Sequence, residues 1–262
     1  MGKRLTAEQV EQYERDGFLC PISVLSDDAV ERCRAAFDAV EALAGGRLLR
    51  LDLGHLYFRW AYDLALHPVV LDVVEDILGP DLLIHATLVF CKYPGHDACV
   101  PWHQDSVYSG WHQTPSVSAW IALTDSTPES GCMRAIPGSH RHGLQPHIER
   151  KTATTMLERG EQVQMRIDDG EGVDLVLRAG QMSLHHNTVI HKSNPNASEA
   201  RRIGFIVRFI SSQLPRSGHP VVRARGAGDL RHLPVMDGPP HDTVEESFVK
   251  WDRSSYRVML EV

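Results

Sequence analysis

Pro101-Trp102-His103-Gln104-Asp105-Ser106 is the stretch on which the reading of this chain turns. In an extended strand successive side chains point to opposite faces, so His103 and Asp105 share one face and Gln104 takes the other. An imidazole and a carboxylate at that spacing can hold one metal ion from a single strand. A third ligand from elsewhere completes the two-histidine, one-carboxylate facial triad, which leaves three coordination positions of a non-haem Fe(II) open. The triplet alone is a common accident of sequence, and a solvated histidine beside a turn aspartate is its plain alternative.

The third ligand has to come from a distant strand. The stretch from His185 to Asn196 offers His185, His186 and His191, and spacing alone does not choose among them. The next strand favours His191. From Arg202 to Ile210 the chain reads with Ile203, Phe205, Val207 and Phe209 on one apolar face and Arg202, Gly204, Ile206 and Arg208 on the other. An inward arginine with room left by Gly204 suits bidentate capture of a carboxylate, and it stands eleven residues after His191. A surface salt bridge is the ordinary alternative for a lone arginine.

The rest of the chain frames that constellation. Its 262 residues suit one large barrel or sandwich domain. Lys and Arg number 27 against 34 Asp and Glu, a net charge of −7 that argues against broad nucleic-acid or anionic-membrane binding. No apolar run approaches the ~20 residues of a membrane span, and Met1 to Thr6 has no apolar signal core. Gly2 with Thr6 fits a myristoylation pattern, but Thr6-Ala7-Glu8-Gln9 is better read as a capping box. Five cysteines, never as C-x-x-C, read as scattered thiols in a reducing compartment. The expectation is a cytoplasmic protein, monomer or homodimer, that acts on a small-molecule substrate and has neither nucleic acid nor membrane as partner.

Residues 1–80 read as a helical scaffold: a helix after Thr6, a second capped by Ser26 with Val30, Cys33, Phe37 and Val40 on one face, and a third begun by Pro68 and stopped at Gly79-Pro80. Residues 81–212 read as short strands at Leu82–Tyr93, Ser116–Asp125, Cys132–Ile136, Val173–Leu177, Gln181–His185 and Ile203–Ile210. The polar stretch 140–172 reads as partly lid or mobile loop, and 213–262 as an irregular tail. The fold class expected is α+β, mainly β: a single domain, 1–262, with a jelly-roll core braced by N-terminal helices.

Four pieces in this order resemble the phytanoyl-CoA dioxygenase family of Fe(II)/2-oxoglutarate oxygenases. They are Trp102-His103-Gln104-Asp105, Trp120-Ile121-Ala122-Leu123, Gly131 to His140, and His191-Lys192-Ser193 through Arg201-Arg202-Ile203-Gly204-Phe205. The resemblance implies a double-stranded β-helix, a cupin-like barrel. It implies Fe(II) on His103, Asp105 and His191, with 2-oxoglutarate and O2 as cosubstrates. Arg202, helped by Ser193, would bind the distal carboxylate of 2-oxoglutarate, and Gln104, Trp120 and Leu88 would line its pocket. Alternation along the strand turns Gln104 away from the metal, and Arg201 stands one residue from the arginine chosen.

The implied activity is hydroxylation of a C–H bond with decarboxylation of 2-oxoglutarate to succinate and CO2. Related halogenases carry a small residue where Asp105 stands, so halogenation is not expected. Tyr108, Trp111 and His112 follow the ligand strand and are expected at the substrate mouth, with Arg134 and Arg208 as anchors for an acidic group. No basic run suits the phosphates of coenzyme A, which favours a small metabolite. Two other classes stay open: a non-catalytic metal- or ligand-binding module on the same fold, and a Zn(II) hydrolase using the same ligands.

Overall fold

The computed structural model describes residues 3–109, 114–214, 219–240 and 242–252. Helix α1 (Ala7–Asp16) begins at the expected capping box, in which the Thr6 hydroxyl accepts from the Gln9 amide and the Gln9 side chain accepts from the Thr6 amide. It stops at Gly17, whose φ of 81° lies in the left-handed region that glycine enters without strain. The chain continues through β1 (Phe18–Ser23), α2 (Asp27–Leu43), β2 (Arg50–Asp52), α3 (Arg59–Ala65) and α4 (Pro68–Leu78). The first eighty residues are therefore not wholly helical. Two strands interrupt the scaffold, because β1 and β2 add themselves to a sheet made by the later chain.

That later chain comprises β3 (Leu82–Lys92), β4 (Val100–His103), the single turn α5 (Ser106–Ser109), β5 (Ser116–Ala122), β6 (Met133–Ala135), β7 (His147–Glu149), β8 (Glu161–Val163), β9 (Val173–Leu175), β10 (Gln181–His186), β11 (His191–Ser193), β12 (Arg202–Ser211), β13 (Val221–Arg225), β14 (Val235–Met236) and α6 (Val244–Asp252). The large sheet runs β1-β10-β5-β12-β3-β13-β14, with β2 also paired to β3. The small sheet runs β4-β11-β6-β9, and β7 pairs with β8 as a separate hairpin inside the stretch expected as a loop. The six expected runs are all strands. The two sheets stand as a jelly roll, with no closed barrel among the described residues.

Strand β12 divides the interior in two. Its Ile203, Phe205, Val207 and Phe209 are at most 1% exposed and belong to the main apolar core with Val70, Val73 and Val74 of α4, while Trp60 of α3 rests on Phe205 with ring centroids 5.8 Å apart. Burying each such side chain contributes roughly 1.5–3 kcal/mol. The alternate side chains, Arg202, Gly204, Ile206 and Arg208, belong to the opposite face. The tail is not irregular throughout: β13 and β14 extend the large sheet, and α6 docks through Trp251, whose indole N–H donates to the Asp52 carbonyl at 3.0 Å. Among the described residues no helix is long and apolar enough to cross a membrane.

One buried histidine of the scaffold carries an acid-stability prediction. His55 is 1% exposed, and its Nδ1 lies 2.9 Å from the Thr87 hydroxyl, which also accepts from the His55 amide. Burial pushes its pKa down from 6.5 to about 3. Between those values the unfolded chain binds a proton that the folded chain refuses, so stability is full above about pH 6.5 and falls as pH drops toward 3, by roughly 1.4 kcal/mol per pH unit. His55→Gln is expected to flatten that slope in denaturant midpoints measured from pH 7 to 4. An unchanged slope would place the acid sensitivity elsewhere.

Candidate active site

Strands β4 and β11 pair with His103 directly opposite His191, which sets the two imidazoles side by side with ring centroids 4.1 Å apart. Asp105 follows just beyond the end of β4. Each histidine is fixed from behind. The Nδ1–H of His103 donates to the carbonyls of Pro101 (3.0 Å) and His191 (3.1 Å), and that of His191 to the carbonyl of Val189 (3.0 Å). Carbonyls only accept, so both rings carry their proton on Nδ1 and direct the Nε2 lone pair inward. Those Nε2 atoms lie 3.6 and 4.0 Å from Oδ1 of Asp105. One ligand atom from each residue falls within 4.8 Å of the others, and all three residues are buried. Two lone pairs and a carboxylate oxygen converging on one point repel one another unless a cation sits between them. The donor set therefore fits a divalent metal.

The outer oxygen of Asp105 is held by others. Oδ2 accepts from the Ser118 hydroxyl at 2.6 Å and from His185 Nε2 at 3.2 Å, while Arg208 Nη2 donates to Oδ1 at 2.6 Å. Register explains the convergence, since Ser118 of β5 and Arg208 of β12 are direct cross-strand partners. Burial alone would raise the Asp105 carboxyl, but the Arg208 charge and the His185 hydrogen bond hold it well below its usual range. Burial, with His103 and His185 beside it, pushes His191 well below its usual value. A carboxylate and a neutral imidazole are the protonation states that ligation needs.

Six residues along β12 from Arg208 lies a second cluster. Arg202 is 2% exposed, donates from Nη2 to the Gly131 carbonyl at 2.9 Å, and lies over the Trp120 ring at 5.2 Å. Its Nε has no hydrogen-bond partner. A Cβ on Gly204 would stand 2.0 Å from the Trp120 ring, so the space left by that glycine is filled by the indole on which the guanidinium stacks. Lys92 of β3 is the register partner of Arg202; it is fully buried and donates from Nζ to the Ser193 hydroxyl at 2.6 Å and to the Asn194 carbonyl. Burial and the neighbouring Arg202 hold Lys92 well below its usual value, and burial pushes Arg202 down to about 10. Among the described residues neither has an acidic ion-pair partner at 4.0 Å or less. A buried guanidinium beside a buried amine suits an anion, and a carboxylate supplies one. Leu88, Trp120, Ser193, Arg202 and the three metal-ligand candidates all line the same cavity between the sheets.

Two expected placements are corrected. Gln104 does not reach that cavity. Its Nε2 donates to the carbonyls of Gly143 and Thr188 and its Oε1 accepts from the Gln145 amide, so the side chain is a clasp on the 143–145 turn. Gln104 lies just past the end of β4, fully buried and turned away from the cavity. Arg134 is not a lining residue either: it pairs with Asp174 at 2.8 Å and donates to the carbonyls of Asp169 and Gly172. Arg201 bridges Asp38 and Glu41 of α2, both at 2.8 Å, on the outside. His186 packs on His140 at 5.3 Å and stays out of the cavity. Trp111 and His112 lie outside the described residues, as does the Tyr108 side chain. Sequence reading missed Ser118, Lys92 and the support role of His185. Alternation along Leu88, Phe90 and Lys92 could have placed the lysine on the inner face.

Residues 13–204 match the family model described as phytanoyl-CoA dioxygenase (PhyH). A probable alpha-ketoglutarate-dependent hypophosphite dioxygenase of Stutzerimonas stutzeri is 26% identical over 230 residues, covering 87% of this chain and 76% of its own. The peroxisomal phytanoyl-CoA dioxygenase of Mus musculus is 26% identical over 237 residues, covering 79% of this chain and 69% of its own. Among solved structures, the apo non-heme monooxygenase ThoJ superposes with a TM-score of 0.78 at 32% identity and covers 93% of both chains. EvdO2 from Micromonospora carbonacea var. aurantiaca, complexed with 2-oxoglutarate, shares the fold with a TM-score of 0.68 at 22% identity, over 79% of this chain and 91% of its own.

Proposed function

Because the chain belongs to the phytanoyl-CoA dioxygenase family and is an Fe(II)- and 2-oxoglutarate-dependent dioxygenase, we propose that it hydroxylates a C–H bond of a small metabolite. The observation that carries this reading is the pairing of two features in one cavity: three converging metal-ligand atoms, and a buried Arg202 with no described acidic ion-pair partner, beside a Ser193 that Lys92 holds from behind. A hydrolase using zinc has need of the first feature only, and a bare metal-binding module has no use for the second.

Each residue then has a task. His103, Asp105 and His191 hold the iron, their orientation set by the backbone carbonyls behind the imidazoles and by Ser118 and His185 behind the carboxylate. Arg202 and Ser193 take the distal carboxylate of 2-oxoglutarate, and Trp120 and Leu88 flank its methylenes. When bound, iron with 2-oxoglutarate and O2 would supply the oxidising chemistry for hydroxylation of a C–H bond. The apolar walls would exclude water from the site. Asp105 occupies the position that a halide would need, which supports hydroxylation over halogenation. The named relatives act on hypophosphite and on phytanoyl-CoA. Without a basic run for coenzyme A phosphates, the small metabolite is the better fit.

Anaerobic addition of Fe(II) and 2-oxoglutarate is expected to give a weak visible charge-transfer band that Zn(II) does not give. A screen of metabolites for stimulated succinate release, with mass spectrometry of the product, then finds the hydroxylated compound. No band together with no calorimetric binding of 2-oxoglutarate would sink the reading.

A further inference from the structure

Between β7 and β8 the chain makes a loop, residues 150–160, that ties the two sheets together. On one side the Met156 amide donates to the Cys99 carbonyl at 2.9 Å, and the Cys99 amide to the Thr154 carbonyl at 2.8 Å, just ahead of β4 in the small sheet. On the other side Arg50 of β2, in the large sheet, donates from Nη1 to the Met156 carbonyl at 2.9 Å. Arg50 is itself steadied by Asp52, to which its Nε donates at 2.7 Å. Within the loop Lys151 Nζ donates to the Leu157 carbonyl at 2.7 Å, and the Leu157 amide to the Thr155 hydroxyl at 3.2 Å. Bonded to both sheets, the loop forms a side wall. Met156 and Leu157 are both buried in the main core, but only Leu157 also lines the cavity.

The anchors fix which end of the cavity Leu157 meets. Val100, next to Cys99, is the register partner of Ser193, and Phe90 is the register partner of both Arg50 and Gly204. Val100 and Phe90 line the cavity with Leu157. Ser193, Arg202 and Gly204 mark the end where the distal carboxylate is placed above. The floor at that end is already full, since a Cβ on Gly204 would stand 2.0 Å from the Trp120 ring. The roof is β11, hydrogen-bonded between β4 and β6. Among the described lining residues only Asp105 and Leu157 stand outside the strands, and Asp105 faces the two ligand histidines.

Resting on the placement of 2-oxoglutarate proposed above, we infer that Leu157 is a specificity-determining residue that limits the keto acid to the length of 2-oxoglutarate. The keto end is held at the metal and the distal carboxylate at Arg202, so the span between them is fixed. An added methylene has to bow sideways. Floor and roof are packed sheet, and the bow meets the Leu157 side chain. One methylene too many in a close apolar pocket is rejected by roughly 10- to 200-fold.

The test is calorimetry on the full chain loaded with Ni(II), with 2-oxoglutarate and its homologue one methylene longer, 2-oxoadipate. The wild type is expected to favour 2-oxoglutarate by at least about tenfold, and Leu157→Ala to bring the two acids within about threefold of each other. Met156→Ala removes a neighbouring core side chain of the same loop that does not line the cavity, and is expected to keep the wild-type ratio. A merely structural role for Leu157 would lower stability in both variants and leave both ratios alone. If 2-oxoglutarate fails to bind the wild type, the assignment of the cosubstrate site falls. If it binds and the wild type takes 2-oxoadipate equally well, or Leu157→Ala discriminates as the wild type does, or Met156→Ala shifts the ratio as far, the Leu157 inference is overturned while that assignment stands. Should an alanine variant fail to fold by circular dichroism, Leu157→Val and Met156→Val replace the pair under the same criteria.

Discussion

Arg202→Ala is expected to raise the KM for 2-oxoglutarate by thirty-fold to a few thousand-fold while Fe(II) affinity changes only a few-fold. The range corresponds to roughly 2–5 kcal/mol for losing one partner of a desolvated charge pair. The variant removes the guanidinium that lies over Trp120 and donates to Gly131, so the indole also loses its stacking partner. The metal-ligand candidates sit on β4, on β11 and just past β4, so they keep their backbone supports. Arg201→Ala is the control. That side chain is bound to Asp38 and Glu41 outside the cavity, and a partly exposed pair of this kind contributes about 0–1 kcal/mol. A raised KM in Arg201→Ala with a normal one in Arg202→Ala would move the cosubstrate site by one residue and onto the wrong face of the strand.

Asp105→Ala is expected to abolish the proposed hydroxylation and to weaken iron binding severely, since it removes one of the three ligands proposed above. It also acts on the metal-free protein. Arg208, Ser118 and His185 all converge on this carboxylate. Removing one partner from a buried ion pair costs roughly 3–5 kcal/mol, so the metal-free variant should unfold at clearly lower denaturant than the wild type. The wild type should make an oxygenated product even in high chloride, and halide added to the variant tests for a replacement ligand. Mass spectrometry decides the outcome. A chlorinated product from the wild type would mean that Asp105 does not hold the metal.

Much of this architecture could be read from periodicity alone. The alternation from Arg202 to Ile210 separates a face that meets the helices from a face that meets the cavity, and both sides of β12 obey it. The elements that escaped reading depend on distant pairing. Phe18 to Ser23 contains Pro21, its register shifts between Leu19 and Ile22, and its partner β10 lies some 160 residues on. Nothing local marks it as a strand. Arg50-Leu51-Asp52 looks like a charged loop, yet the two charges bond each other at 2.7 Å and the segment is buried against β3. Tail strand β13 pairs with β3 in the same way, across a long separation.

At the site, the physical rule and the resemblance disagreed over Gln104, and the rule matched the placement: its side chain is turned away from the cavity that His103 and Asp105 line. Arg134 shows the converse limit. Nothing in the triplet around it announces that Asp174, Asp169 and Gly172 are waiting on the outer side. His191 was preferred over His185 and His186 because a histidine and an arginine eleven residues later had to satisfy one geometry together, and its ring does lie beside His103 and Asp105.

The Lys92 contact to Ser193 bears on how the cavity tells one isostere from another. Lys92 Nζ donates to the Ser193 oxygen, which leaves the Ser193 hydroxyl proton free to turn toward a bound group. Arg202 has only N–H groups to present. Among the described residues that end of the cavity is therefore rich in donors. A primary amide in place of the distal carboxylate proposed there would set N–H groups against those donors, and leaving such groups poorly met is a heavy penalty. 2-Oxoglutaramate should fail to compete in calorimetry at concentrations where 2-oxoglutarate saturates. Comparable affinity for the amide would mean that the lysine is not the one-way hydrogen-bond source described, and that an acceptor stands at that end of the pocket.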